Sequence, residues 1–189
     1  MTHVLPVVNA IRSARPQAEI TWIIGKLEAR LLKDIAGVEF IVFDKKGGLS
    51  AIRELRQTLK GRQFDVLLHM QVAARANLLS KLIKAQVRIG WDKPRWRDRH
   101  QWFIDQSVRS VPQQHQVDAF LEFARAIDVP VDDPIWDVPV SPEDRDWAKR
   151  ILGEGPPILM ISPCSSHPLR NWASCLLYTS DAADEVVPV

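Results

Sequence analysis

Two stretches of this 189-residue sequence carry side chains whose types and spacing can do chemistry. The first, RIGWDKPRWRDR at residues 88–99, holds Arg88, Lys93, Arg95, Arg97 and Arg99 with Trp91 and Trp96 between them. Guanidinium groups match the planar geometry of carboxylate and phosphate, so this stretch can grip a small anionic ligand. Cations interleaved with aromatic rings can also bind nucleic acid, through phosphate contacts and base stacking. A third reading is a solvated loop in which Asp92 and Asp98 neutralise the cations. Nucleic acid is the least favoured of the three.

The second stretch is ILMISPCSSHPLRNW at residues 158–172. Its apolar start follows Pro156 and Pro157 and reads as a short buried strand. Ser162, Pro163, Cys164, Ser165 and Ser166 then form a loop of small side chains, which lets a ligand approach the backbone. Backbone N–H groups and serine hydroxyls at a strand-to-helix turn make a phosphate cradle, helped by the helix N-terminus. Arg170 adds a cation to the same anion. The alternative is an ordinary strand-turn-helix with no ligand.

The elements that must position these stretches are legible as an alternation. Val4, Val7, Val8 and Ile11 share one helical face that ends before Pro16. Residues 20–24 read as a strand closed by Gly25, residues 26–35 as helix, and residues 39–43 as strand. Leu49, Ile52, Leu55 and Leu59 mark a helix stopped by Gly61. Residues 65–70 and 86–90 read as strands on either side of a helical stripe of Val72, Ala76, Leu79 and Ile83. Residues 101–108 read as another strand, and Val117, Phe120, Leu121, Ala124 and Ile127 line an amphipathic helix. Such alternation implies parallel βαβ units in an open, doubly wound α/β sheet. A domain of that kind normally begins with a strand, whereas here a helix begins by about His3. The expectation is therefore a Rossmann-like domain lacking its first strand.

Pro- and Asp-rich residues 129–139 read as a connection, and Ser141-Pro142-Glu143-Asp144 as a helix start: cap, first-turn proline, then acids. The expected division is residues 1–140 as the first domain, and residues 141–174 as a linker helix and the beginning of a second. Residues 175–189 resemble translated sequencing-adapter DNA and stand outside the fold expectation.

Composition narrows the function classes. The sequence is 46% hydrophobic and 25% charged with a formal net charge of +2, which argues against general nucleic-acid or membrane binding. Two cysteines, Cys164 and Cys175, are too few for a disulfide framework and fit a reducing compartment. No run of about 18 apolar residues and no signal peptide is present, so a cytosolic protein is expected. His3, His69, His100, His115 and His167 lack metal-ligand spacing, and Cys164 has no CxxC partner. No Walker sequence or GxGxxG occurs. His115 and Asp118 share a helix face, an arrangement that more often caps or packs than does acid–base work.

The segments MTHVLPVVNAIRSARPQAEITWIIG, FDVLLHMQ, RIGWDKPRWRDR, HQVDAFLEFARAI and ISPCSSHPLRNWAS, in that order, resemble glycosyltransferase family 9, the bacterial lipopolysaccharide heptosyltransferases. The resemblance spans residues 1–174. It implies a GT-B fold: two doubly wound domains facing across a cleft, of which this chain holds the first together with the first strand and turn of the second. It also implies transfer of heptose from ADP-heptose to an inner-core Kdo or heptose acceptor of a lipid A precursor, with inversion and without cofactor or metal. In that family a Gly-Asp pair directly precedes the segment matching Met1-Thr2-His3, and the aspartate is the expected base. By this match the base lies one residue before Met1, and His3 lies beside it at the cleft. Ser165, Ser166 and Arg170 match positions that hold the donor phosphates and stabilise charge on departing ADP. Arg95, Arg97 and Arg99 fall on the acceptor side, facing an anionic Kdo or phosphorylated lipid. The implied setting is cytoplasmic, with at most peripheral contact at the inner membrane and no nucleic acid. Lacking base and most of a donor domain, the 189-residue chain is expected not to turn over. Two alternatives stand beside this: a non-catalytic module binding an anionic ligand or nucleic acid through Arg88 to Arg99, and a GT-B enzyme using another nucleotide sugar.

Overall fold

Short apolar runs and amphipathic stripes alternate in space as they do along the chain. The computed structural model describes residues 2–131, 134–153, 155–156, 158–162, 165 and 168–172. After a 3-10 turn at Thr2–Val4 come α1 (Leu5–Ala14), β1 (Ile20–Gly25), α2 (Lys26–Leu32), β2 (Val38–Phe43) and α3 (Gly48–Thr58). There follow β3 (Phe64–His69), α4 (Ala74–Ser80), β4 (Ala85–Gly90), β5 (Gln106–Ser107), α5 (Gln116–Arg125) and α6 (Pro142–Leu152). The chain divides into two units, Met1–Ser141 and Pro142–Val189.

In the first unit every described strand pair is parallel, as the alternation requires. The sheet comes in two pieces, β1-β2 and β3-β4-β5. Successive side chains on a strand point to opposite faces, and the core follows that rule. Leu67 packs with Ile41, Phe43, Leu55 and Leu59, the side covered by α3. Its neighbour Leu68 packs with Val7, Ile11, Leu121 and Phe123, the side covered by α1 and α5. Helices on both faces explain why β3 is apolar at successive positions, whereas β4 alternates, Val87 and Ile89 packing in one core with Gln86 and Arg88 between them. Pro6 sits in the first turn of α1, where its missing N–H costs no hydrogen bond. His115 caps α5, its Nδ1 accepting from the Val117 N–H at 3.3 Å, so capping is the role it fills.

Two expectations fail. The strand over 101–108 shrinks to Gln106–Ser107. The Asp105 carboxylate accepts from Arg88 N–H at 2.8 Å, so a side chain stands where a ladder bond would be, and His100–Trp102 forms a 3-10 turn. The buried strand over 158–161 is not formed either: Ile158, Leu159, Met160 and Ile161 are 60–84% exposed without regular structure. An apolar run becomes a buried strand only when a neighbouring strand satisfies its backbone and helices cover it. Among the described residues this run has neither. Among its described residues the second unit otherwise holds α6, none of whose residues is buried, and a 3-10 turn at Pro168–Arg170. No described helix is long and apolar enough to cross a membrane.

One polar cluster sits inside this apolar frame. Asn77 on α4 and His100 are fully buried, and His69, which ends β3, is 6% exposed. Asn77 Oδ1 accepts from His69 Nε2 at 2.8 Å and from His100 Nδ1 at 2.9 Å. His100 Nε2 in turn accepts from the Trp91 N–H at 3.1 Å. That acceptor role leaves its proton on Nδ1, so His100 is neutral with one tautomer fixed. Burial, helped by the neighbouring His69, pushes the His100 pKa down to about 4. Burial also lowers that of His69, against the hydrogen bond to Asn77. Gly90 is required beside this cluster, because a Cβ there would collide with His100 and Ile104.

Two consequences are measurable. Phe123 is fully buried and meets Trp91 edge to face at 4.9 Å, so Phe123→Ala should lower the unfolding free energy by about 3–5 kcal/mol in urea titrations. The histidines give a pH dependence. Their folded pKa values lie below the unfolded one, so between pH 6.5 and about 4 the unfolded chain binds more protons. Stability should therefore fall as pH drops through that window. The same series on His100→Gln should give a shallower fall, and equal slopes would contradict the assignment.

Candidate functional site

In open α/β sheets ligands bind outside the carboxyl ends of the strands. Here the end of β4 delivers Trp91 and the basic stretch to that edge, beside the end of β3. Trp91 is the anchor. Its indole N–H donates to Met70 O at 2.9 Å, and its ring stands edge-on to Phe120 at 5.0 Å and Phe123 at 4.9 Å. Its carbonyl accepts from the Trp96 indole at 2.6 Å, which folds the loop back on itself.

The five cations of the stretch do different work. Arg95 is spoken for: its guanidinium donates to Asp92 at 3.0 Å and lies 5.0 Å over the Trp91 ring. The Asp92 side chain is only 5% exposed, so Arg95 compensates a buried charge, and losing it would strand that carboxylate. Arg88 faces inward and donates to Ile83 O at 2.9 Å. Lys93, Arg97 and Arg99 are exposed. Arg99 lies 4.7 Å over the Trp102 ring, a cation–π contact at the surface. Asp98 forms no ion pair with the described arginines; its carboxylate accepts from the Ala74 N–H at 2.9 Å, at the first residue of α4. The stretch is thus partly a neutralised structural loop and partly an exposed cationic surface made by Arg97 and Arg99.

Backbone geometry makes that division. Asp98 and Arg99 both take left-handed conformations, at φ 51° and 60°. For ordinary L-residues each costs about 1–2 kcal/mol, less for aspartate. The reversal turns His100 into the core while Arg97 and Arg99 stay outside.

His3 joins the same neighbourhood through aromatic contacts. Its ring stacks on Phe120 at 5.9 Å and tilts against Trp136 at 5.7 Å, and Phe120 in turn meets Trp91. Phe120 therefore links His3 to the ring beneath Arg95. Ser165 and Arg170 belong to the second unit. The Ser165 N–H donates to Asn171 Oδ1 at 2.6 Å, and Arg170 is exposed in its 3-10 turn. Ser166 lies outside the described residues, as do Cys164 and His167.

Two groups escape sequence reading. The first is the His69–Asn77–His100 cluster, whose members are scattered and show no motif spacing. The second is Glu122, a carboxylate 2% exposed on α5 that receives Arg109, Arg125 and Gln114. Burial pushes its pKa up, but the hydrogen bonds of Arg109 and Gln114 and the charges of Arg125 and Arg109 outweigh that and hold it below the usual value. A glutamate on the apolar face of a helix beside two arginines is the only signal available for it. Among the described residues no three His, Cys, Asp or Glu side chains could together hold a metal ion.

The geometry can be set beside known proteins. The chain is 39% identical over 170 residues to the lipopolysaccharide core heptosyltransferase OpsX of Haemophilus influenzae, a match covering 90% of this chain and 49% of that protein. A solved family 9 glycosyltransferase from Veillonella parvula superposes with a TM-score of 0.74 at 18% identity, over 96% of this chain and 57% of that one. The Escherichia coli heptosyltransferase WaaC, solved with ADP, gives 0.61 at 19% identity, over 72% and 47%. The chain thus spans about half the length of these relatives, and the structural likenesses establish a shared parallel α/β fold. A model of "Glycosyltransferase family 9 (heptosyltransferase)" matches residues 52–175, and over that stretch the basic loop, α5 and α6 all fall within it. With a match spanning more than half its length, this chain belongs to glycosyltransferase family 9.

Proposed function

We propose that this chain supplies the acceptor-binding side of a lipopolysaccharide core heptosyltransferase that takes heptose from ADP-heptose. The observation that carries the reading is the 39% identity to OpsX across nearly the whole chain. The site chemistry supports it independently. Arg97 and Arg99 offer an exposed cationic surface at the carboxyl end of a parallel sheet, suited to the carboxylate of a Kdo residue or the phosphate of a lipid A precursor. Arg95 serves the same surface from beneath, by holding the loop through Asp92 and Trp91. His3 stands beside this surface through its stacking on Phe120, which meets Trp91.

On the donor side, Ser165, Ser166 and Arg170 grip the diphosphate and stabilise the charge that develops as ADP leaves. Attack by the acceptor hydroxyl opposite the departing ADP inverts the anomeric centre. The reading uses no metal, the guanidinium supplying the positive charge, and it assigns the general base to no residue of this chain. It places the protein in the cytoplasm, meeting its lipid acceptor by peripheral contact with the inner membrane.

Titration calorimetry with a Kdo-bearing lipid A precursor in detergent micelles tests the acceptor half. Arg97→Ala and Arg99→Ala should each weaken binding about tenfold, as expected for a lost charge-assisted hydrogen bond. Tighter binding of single-stranded oligonucleotides, with a steep salt slope, would instead favour a nucleic-acid module. Arg95→Ala should chiefly cost stability, roughly 3 kcal/mol in urea, because Asp92 would be left buried and unpaired. For the donor half, ADP binding should be the same with and without EDTA and weaker in Arg170→Ala; dependence on a divalent cation would contradict it.

A further inference from the structure

The exposed arginines sit on a loop whose shape is held from behind by hydrogen bonds to α4. We propose that Asn77 and Asp98 form a clasp that fixes this loop, making Asn77 a positioning residue for the anion-binding surface at Arg97 and Arg99. The inference rests on the acceptor-binding reading above.

Four observations carry it. Asn77 is fully buried, and its Nδ2 donates to the Asp98 carbonyl at 3.1 Å and to the Val72 carbonyl at 3.4 Å. Its Oδ1 accepts from His100 at 2.9 Å, and His100 in turn accepts from the Trp91 N–H at 3.1 Å. One side chain therefore secures both ends of the loop, at Trp91 and at Asp98–His100. From the other side, the Asp98 carboxylate accepts from the Ala74 N–H at 2.9 Å, so Asp98 is fastened through its backbone and its side chain to the same helix, α4. Finally, Asp98 and Arg99 are consecutive left-handed residues, a conformation that persists only where the surroundings over-determine it. Relaxation of either residue would re-aim Arg97 and Arg99, because the reversal between them sets where both point.

A purely structural polar cluster makes a different prediction from a clasp. Removing the Asp98 carboxylate takes a negative charge away from two anion-binding arginines, so by charge alone any such variant should bind anions more tightly. The clasp predicts that the outcome depends on whether the hydrogen-bond acceptor survives. Asp98→Asn keeps an oxygen for the Ala74 N–H and tolerates the left-handed conformation. Asp98→Ala keeps neither. Asp98 lies at the surface, so neither variant removes a side chain of the buried cluster.

The test pairs amide hydrogen exchange with binding of the free sugar acid Kdo, on the full chain. In Asp98→Ala, protection at the Ala74, His100 and Trp102 amides should fall at least tenfold and Kdo affinity at least fivefold, with the Ile41 amide unchanged. Asp98→Asn should stay within about twofold of wild type in both. Asn77→Ser should lose protection at Trp91 as well, and in an Arg97→Ala/Arg99→Ala background Asp98→Ala should have no further effect on affinity. Wild-type exchange and affinity in Asp98→Ala would overturn the clasp while leaving the acceptor reading in place. So would tighter binding in both Asp98 variants. No Kdo binding by the wild type would remove the acceptor reading and the positioning role with it, whatever the exchange data show.

Discussion

The first unit turns on one buried oxygen. Asn77 Oδ1 takes a hydrogen bond from each of two imidazoles, at the point where the end of β3, the helix α4 and the loop after β4 meet. A polar group in such a place is costly unless every partner is satisfied. Here it is satisfied, and satisfaction has geometric consequences. The imidazoles can be neutral only with particular tautomers, His100 can accept from Trp91 only if it turns inward, and the loop must reverse sharply to let it do so. Gly90 is constrained by the same cluster. A mainly apolar core would have fixed the helices and strands but not this loop.

The consequence for chemistry is a sorting of charge. Five cations lie close together in sequence, yet they do not act as one patch. Arg88 and Arg95 satisfy a backbone carbonyl and a buried carboxylate, whereas Lys93, Arg97 and Arg99 remain outside at the carboxyl edge of the sheet. That leaves a small, directional cationic surface rather than a broad field, which suits a single carboxylate or phosphate better than a nucleic-acid backbone. The loop lies within the stretch that places this chain in glycosyltransferase family 9, and the proposed anionic sugar acceptor is one such ligand.

Much of the first unit could be read from residue pattern alone, for a plain reason: amphipathic periodicity is a local property. The stripe of Val117, Leu121 and Ala124 became the buried face of α5, and the apolar run through Leu67 and Leu68 became β3. The basic stretch was also legible, although not the division of labour within it, because nothing local says that Asp92 would be buried with Arg95 while Asp98 turned to α4. His69, Asn77 and His100 were invisible as a group, since only the fold brings them within hydrogen-bonding distance. The two strand expectations that failed have different causes. At 101–108 the β4 edge is present, but the Asp105 carboxylate and the 3-10 turn at His100–Trp102 confine pairing to Gln106–Ser107. At 158–161 apolar composition reports what a segment could bury, and no described neighbour supplies an edge or a cover.

The central claim is that the loop after β4 is where an anionic sugar acceptor binds. Backbone amide chemical shifts, followed while a Kdo-bearing lipid A precursor is added, test it most directly. The account predicts that saturable shifts concentrate at Arg97, Arg99 and Trp102, with the amides of β2 and α3 unmoved. Saturable shifts that centre elsewhere and spare the arginine loop would contradict it.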